Sequence, residues 1–207
     1  MTFLQSLDLA AVFIFGLTGA LAASRAQLDI VGFIFLACLT AVGGGTLRDV
    51  VMGRDMVFWV AEPLMIVSAT VAAVLVFFTA HLVESRLRAL EWLDALALGV
   101  AVPAGVGLAL SLQAHPIVVA IMGVVTATLG GLMRDVVCNE VPLILKKGEL
   151  YATAALAGAL VALGAVALEV PTGAALIACG VATFGLRAGS MLFGWNLPVY
   201  KSRPPRL

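Results

Sequence analysis

The 207-residue chain is 62% hydrophobic and 12% charged, with a mean hydropathy of +1.12. Soluble domains carry about 25% charged residues, so twelve acids and twelve bases cannot give this chain a polar skin, and it reads as an integral membrane protein. Zero net charge without a basic stripe before the last seven residues argues against nucleic-acid partners. The scattered Cys38, Cys138 and Cys179, with only His81 and His115, offer no disulfide framework, metal set or haem site, so no cofactor is expected.

A helix needs about 20 apolar residues to cross roughly 30 Å of hydrocarbon. The first span is placed at 9–24, between Asp8 and Arg25; no basic region precedes it, so it reads as a span and not a cleaved signal peptide. The second covers 29–51 and contains Gly43-Gly44-Gly45, and the third covers 63–83, with Glu62 before Pro63 marking its start. The uncharged run that follows is too long for one span and breaks before Pro116, because proline disfavours helix in the preceding residue and suits a first turn. This gives a fourth span at 93–112 and a fifth at 116–137, the latter with Gly130-Gly131 near its end. A sixth at 150–168 and a seventh at 171–193, interrupted by Arg187, complete the set. Arg25, Arg86, Arg88, Lys146, Lys147, Lys201, Arg203 and Arg206 then share one side, against Arg54, joined by Arg48 if it reaches that surface, on the other. The positive-inside rule puts the amino terminus outside and the basic tail 201–207 in the cytoplasm. Trp59, Trp92, Tyr151, Trp195 and Tyr200 fall at span ends, as an aromatic belt requires.

Residues 44–53 (Gly-Gly-Thr-Leu-Arg-Asp-Val-Val-Met-Gly) recur at 130–139 (Gly-Gly-Leu-Met-Arg-Asp-Val-Val-Cys-Asn), six of ten identical at an offset of 86. The same offset pairs Asp8 with Asp94, Gly19 with Gly105, Thr40 with Thr126 and Ala41 with Ala127. The chain therefore reads as one transmembrane domain, 1–207, built by duplication: repeat one about 7–83, repeat two about 93–168, and a seventh helix about 171–193. An offset enclosing three spans inverts the second copy in the membrane, the plan of many channels and transporters.

Paired glycines within a span weaken the helix, and freed backbone groups are tolerated at membrane depth only in packed protein or a watery cavity. The second and fifth spans are therefore expected to bend or break at Gly43–Gly45 and at Gly130 and Gly131, with close helix packing as the alternative. Arg48, Asp49, Arg134 and Asp135 each cost about 2.5–3.5 kcal/mol at the membrane centre even on a lenient scale, so they must be paired or hydrated. Neighbouring residues leave a helix about 100° apart, so the expected pairs cross the repeats: Arg48 with Asp135, and Arg134 with Asp49. Such pairs either brace the two halves or line and gate a pore. Asp8 and Asp94 read as caps or pore entrances, Arg187 as a snorkelling base or a partner of Glu140 or Asp135, and Thr46 as a secondary pore candidate. Lys146, Lys147 and the basic tail are topology signals that can also meet anionic lipid. No Ser-His-Asp set, HExxH, P-loop or GxGxxG is present, and no enzymatic activity is expected.

The two copies at 43–50 and 130–136 resemble the prokaryotic trimeric intracellular cation (TRIC) channel family, whose bacterial members are also described as glycine transporters. The resemblance spans essentially the whole chain. It implies a homotrimer in the bacterial inner membrane, one pore per protomer selective for monovalent cations such as K⁺ and Na⁺, and kinks at Gly43, Gly44, Gly45, Gly130 and Gly131 bounding that pore. Cations would pass without a resident metal. The Lys-Glu-Val motif of the animal relatives is absent, and Leu129 stands where the first copy has Gly43. The rival readings are a secondary transporter for a small amino acid such as glycine, and a scaffold without a permeation path.

Overall fold

The computed structural model describes residues 2–83, 85–146 and 148–198 and is all-helical apart from one short bridge between Glu149 and Asn196. Among the described residues eight α-helices follow in order: α1 Phe3–Arg25, α2 Ile30–Val51, α3 Phe58–Ala61, α4 Leu64–Thr79, α5 Arg86–Ser111, α6 Pro116–Val137, α7 Ala152–Ala167 and α8 Thr172–Phe193. A 3₁₀ turn, Ala80–Leu82, prolongs α4, and another, Leu143–Leu145, stands between α6 and α7. Six of these elements are long and apolar enough to cross a membrane; α7, with 16 residues, spans only about 24 Å. Basic tail residues 201–207 and Tyr200 lie outside the described residues.

Local chemistry sets the helix ends. Thr2 and Gln5 form a capping box at the start of α1, Asp29 accepts from the Gly32 amide at 2.8 Å to open α2, and Pro116 occupies the first turn of α6. Each copy closes its helices with left-handed residues at matching positions: Gln27 and Gln113 after the first helix, Gly53 and Asn139 after the second, all with φ between 54° and 64°. Glycine and asparagine are the residues that adopt this conformation most cheaply. The helices begin earlier than the apolar runs suggest: α1 extends back past Asp8 and α5 past Glu91 and Asp94, so neither aspartate caps a helix.

Within the first copy α1, α2 and α4 pack on one another, and α5, α6 and α7 do the same in the second. The copies meet where α1 packs on α5 and α2 on α6, while α8 lies against α5 and α7. The core is built largely from alanine and glycine, which let backbones approach without aqueous hydrophobic drive. Outward-facing Val31, Phe35, Phe78, Leu160, Ile177 and Val181 present the apolar face expected toward lipid.

Both α2 and α6 run through their glycines without interruption, contrary to the expected breaks. The glycines instead permit a close crossing. A Cβ on Gly44 would land on the Thr126 carbonyl oxygen, and one on Gly130 would land on that of Thr40. Gly44 facing Thr126 and Thr40 facing Gly130 also makes the pair antiparallel, crossing midway between these contacts. Thr40 and Thr126 fill the other side of the crossing, where a Cβ on Gly19 would come within 2.7 Å of the Thr40 hydroxyl and one on Gly105 within 2.6 Å of the Thr126 hydroxyl. Both hydroxyls donate back along their own helices, to Leu36 and Met122, each at 2.6 Å, so neither is left unpaired.

Gly44→Ala and Gly130→Ala are each expected to destabilise the protein by about 1–3 kcal/mol or more through overpacking against backbone. Gly185→Ala, which meets open space on α8, should be neutral or stabilise by up to about 1 kcal/mol. Thermal unfolding in detergent compares the three; a Gly44→Ala variant melting with the parent would contradict the close crossing.

Candidate functional site: two arginine–aspartate clusters

Arg48 and Arg134 lie in the last two turns of α2 and α6 and are wholly buried. A guanidinium out of water must find carboxylates with good geometry, and each finds two. The Arg48 Nε donates to Asp49 Oδ1 at 2.8 Å, and its Nη1 donates to Asp8 Oδ1 on α1 at 2.8 Å. Asp49 Oδ2 accepts from the Phe58 amide at 2.7 Å and from Arg54 at 3.0 Å, which pins the start of α3 against the end of α2. The guanidinium also lies 5.3 Å from the centroid of the Phe58 ring, for which Gly45 makes room.

The second cluster repeats this design. Arg134 Nε donates to Asp135 Oδ1 at 2.8 Å and Nη1 donates to Asp94 Oδ1 on α5 at 2.9 Å. Asp135 Oδ2 accepts from the Leu143 amide at 2.9 Å, so the 3₁₀ turn takes the place of α3. Arg134 Nη1 also donates to the Thr18 hydroxyl at 3.0 Å, and the Tyr151 hydroxyl donates to Asp94 Oδ2 at 2.6 Å. Gly131 leaves space beside Tyr151 and Asp94, where a Cβ would sit 3.2 Å from the hydroxyl.

Four sequence expectations are corrected here. Arg48 does not pair with Asp135, nor Arg134 with Asp49. On antiparallel helices both arginines lie six residues beyond the crossing, in opposite directions, so the clusters stand about 18 Å apart along the axis. Adjacent Arg and Asp do pair, because the long arginine side chain bends its Nε back to the neighbouring carboxylate although the Cα–Cβ bonds diverge. Arg187 pairs with Glu149 at 2.7 Å, while Glu140 takes Arg25 at 2.9 Å. Tyr151 is no belt residue: it is 1% exposed and bonded within the second cluster.

Asp8 and Asp94 are the partners whose role sequence reasoning left open. The available signal was a common spacing, since each aspartate precedes its arginine by 40 residues. Between α1, α2, α5 and α6 lies a narrow cavity bordered by Asp8, Phe15, Gly45, Phe58, Ala101 and Thr126, with room for about one water molecule. Asp8 keeps 18% of its side chain exposed. Thr46 faces a different, largely apolar groove with Leu39, Val42, Gly43 and Met133, where its hydroxyl accepts from Trp59 Nε1 at 2.9 Å.

Arg134→Met would leave Asp94 and Asp135 without their guanidinium and is expected to cost about 3–5 kcal/mol. Arg54→Ala, whose side chain is one-third exposed, should cost less than about 1 kcal/mol. Equilibrium denaturation in detergent distinguishes them, and equal losses would contradict the buried-pair account.

The sequence model of the family described as "Glycine transporter" matches twice, at residues 5–81 and 91–167, again 86 residues apart. The UPF0126 inner membrane protein YadS of Escherichia coli is 36% identical over 199 residues, covering 94% of each chain. A UPF0126 membrane protein of Vibrio cholerae is 34% identical over 95% of this chain and 82% of its own. Among solved structures, the TRIC trimeric intracellular cation channel orthologue from Rhodobacter sphaeroides superposes with a TM-score of 0.90 at 44% identity, over 94% of this chain and all of the other. A prokaryotic TRIC channel superposes at 0.87 with 27% identity, over 94% and 98%. The chain is an integral membrane protein of the family to which these UPF0126 proteins and TRIC channels belong.

Proposed function

We propose that the protein is a passive channel for monovalent cations, K⁺ or Na⁺, working as a homotrimer with one pore in each protomer. The observation that carries this reading is the narrow cavity beside the first cluster, which reaches the helix crossing at Thr126, with the Asp8 carboxylate on its wall and a buried excess of acid in the second cluster. In the second cluster Arg134 faces two carboxylates, Asp94 and Asp135, so the site retains negative charge at membrane depth and favours cations over anions. The likeness to TRIC cation channels at 44% and 27% identity supports the same reading.

In this arrangement α7 crosses as the sixth span despite its length, and α8 is the seventh. The two triples form inverted repeats, with the amino terminus outside and the carboxyl terminus in the cytoplasm of a bacterial inner membrane. The antiparallel crossing of α2 and α6 then puts Arg48 and Asp8 toward one face and Arg134 and Asp94 toward the other. Gly43, Gly44 and Gly130 keep the two helices close at the constriction, while Gly45 and Gly131 make room for Phe58 and Tyr151 beside it. Arg48, Asp49, Arg134 and Asp135 fix the field on either side of it. A cation exchanges part of its water for carbonyl and carboxylate oxygen and is held weakly enough to leave. The cavity admits about one water, which fits a closed conformation.

Purified protein in planar bilayers under a KCl gradient should show discrete openings that reverse near the K⁺ equilibrium potential. Asp8→Asn should lower single-channel conductance by roughly two-fold or more, because it removes a charge from the path wall. Silent bilayers, with the same preparation concentrating glycine in vesicles, would replace this reading with the transporter.

A further inference from the structure

The two clusters share a plan but not their surroundings. Asp8 is 18% exposed at its side chain, whereas Asp94 is 1% exposed and has a donor on each oxygen: Arg134 Nη1 on Oδ1 and the Tyr151 hydroxyl on Oδ2. Both oxygens of Asp8 are met by Arg48 alone, Nη1 on Oδ1 at 2.8 Å and Nη2 on Oδ2 at 3.4 Å, with no second side chain holding it among the described residues. At the offset of 86 the counterpart of Tyr151 is Met65, and that of Thr18, which accepts from Arg134, is Ala104.

Tyr151 is itself held from outside the repeat. The guanidinium of Arg187, on α8, lies 5.3 Å from the centroid of its ring. Arg187 is 1% exposed; Nη2 donates to Glu149 at 2.7 Å, while Nε and Nη1 have no hydrogen-bond partner among the described residues. A buried cation in that state depends on the ring face for much of its compensation. Glu149 is fixed in turn by the chain after α8. It bridges to Asn196, and the Leu197 amide donates to the Gly148 carbonyl at 2.8 Å. Ser190 Oγ donates to the Trp195 carbonyl at 2.9 Å, closing that segment onto α8.

The geometry assigns Tyr151 as a positioning residue for Asp94, clamped by Arg187 and Glu149, so that α8 latches the second cluster through a contact the first cluster lacks. What the latch does to opening rests on the channel reading; the latch itself does not. With this extra hold on one half only, the two ends of the path open with unequal ease. Movement of α8 or of residues 194–198 releases Asp94 through the Tyr151 ring.

The test uses the full chain in nanodiscs and in bilayers. Amide hydrogen exchange in wild type should be slower over residues 131–137 of α6 than over the equivalent 45–51 of α2. Tyr151→Phe keeps the ring and removes the hydroxyl, and should speed exchange over 131–137 by about five-fold while leaving 45–51 unchanged. Arg187→Lys, which keeps the charge but loses the planar stack, should do the same to a smaller degree. In bilayers Tyr151→Phe should raise open probability at one voltage polarity more than at the other, an effect that general loss of stability does not produce. Exchange that rises equally in both segments, or in neither, overturns the latch. An open probability unchanged in a conducting Tyr151→Phe channel overturns its role in opening. A silent wild type overturns the channel reading instead, and the exchange arm still decides the latch.

Discussion

An arginine inside a membrane protein cannot remain both charged and alone, and that constraint organises this structure. Arg48, Arg134 and Arg187 are all removed from water, and each is tied to at least one carboxylate. For the first two, the ties fix helix placement. The Asp8 and Asp94 contacts lock the first helix of each triple to the second. The Asp49 and Asp135 carboxylates reach beyond the helix end to the amides of Phe58 and Leu143. One guanidinium with two acids thus holds three chain segments, which replaces the aqueous hydrophobic drive that lipid does not provide.

The same interactions require α2 and α6 to cross closely. If larger residues separated the helices at Gly44 and Gly130, α1 and α5 would follow through their contacts at Gly19 with Thr40 and Gly105 with Thr126. The carboxylates of Asp8 and Asp94 would then draw away from their arginines. Small residues at the crossing and charged residues one or two turns beyond it therefore form a single device. That accounts for why glycines, arginine and aspartate recur together as one block.

Much of the architecture is legible in the sequence because hydropathy and an exact-register repeat both survive without structural knowledge. The positions of α2, α6 and α8 follow from the apolar runs nearly to the residue. The glycine reading misled because an interrupted helix and a tight crossing place the same demand on sequence, a missing Cβ; only the neighbouring helix distinguishes them. The charge pairing misled for a similar reason. Side-chain direction at Cβ is set by position, but arginine has enough bonds to reach its neighbour, and the antiparallel geometry carries the cross-repeat partners about 18 Å apart. Tyr151 stands at a helix start, where a belt tyrosine would also stand, and it is covered only because α8 packs over that corner.

The two halves carry different electrostatics. Arg54 and Glu140 occupy equivalent positions with opposite sign. Arg54 adds a second base to the first cluster through Asp49, whereas Glu140 turns to Arg25 at the end of α1. The first cluster is thereby balanced, two bases to two acids, with one acid still in contact with the cavity. The second has a single base to two acids and compensates with neutral donors, the Tyr151 hydroxyl and the Leu143 amide. Neutral donors stabilise a carboxylate without cancelling its charge, so the negative field survives at the second site but not at the first. The two sides of the crossing therefore differ in charge and in burial: Asp8 is partly exposed beside the cavity and held by Arg48 alone, whereas Asp94 is buried and held by both Arg134 and Tyr151.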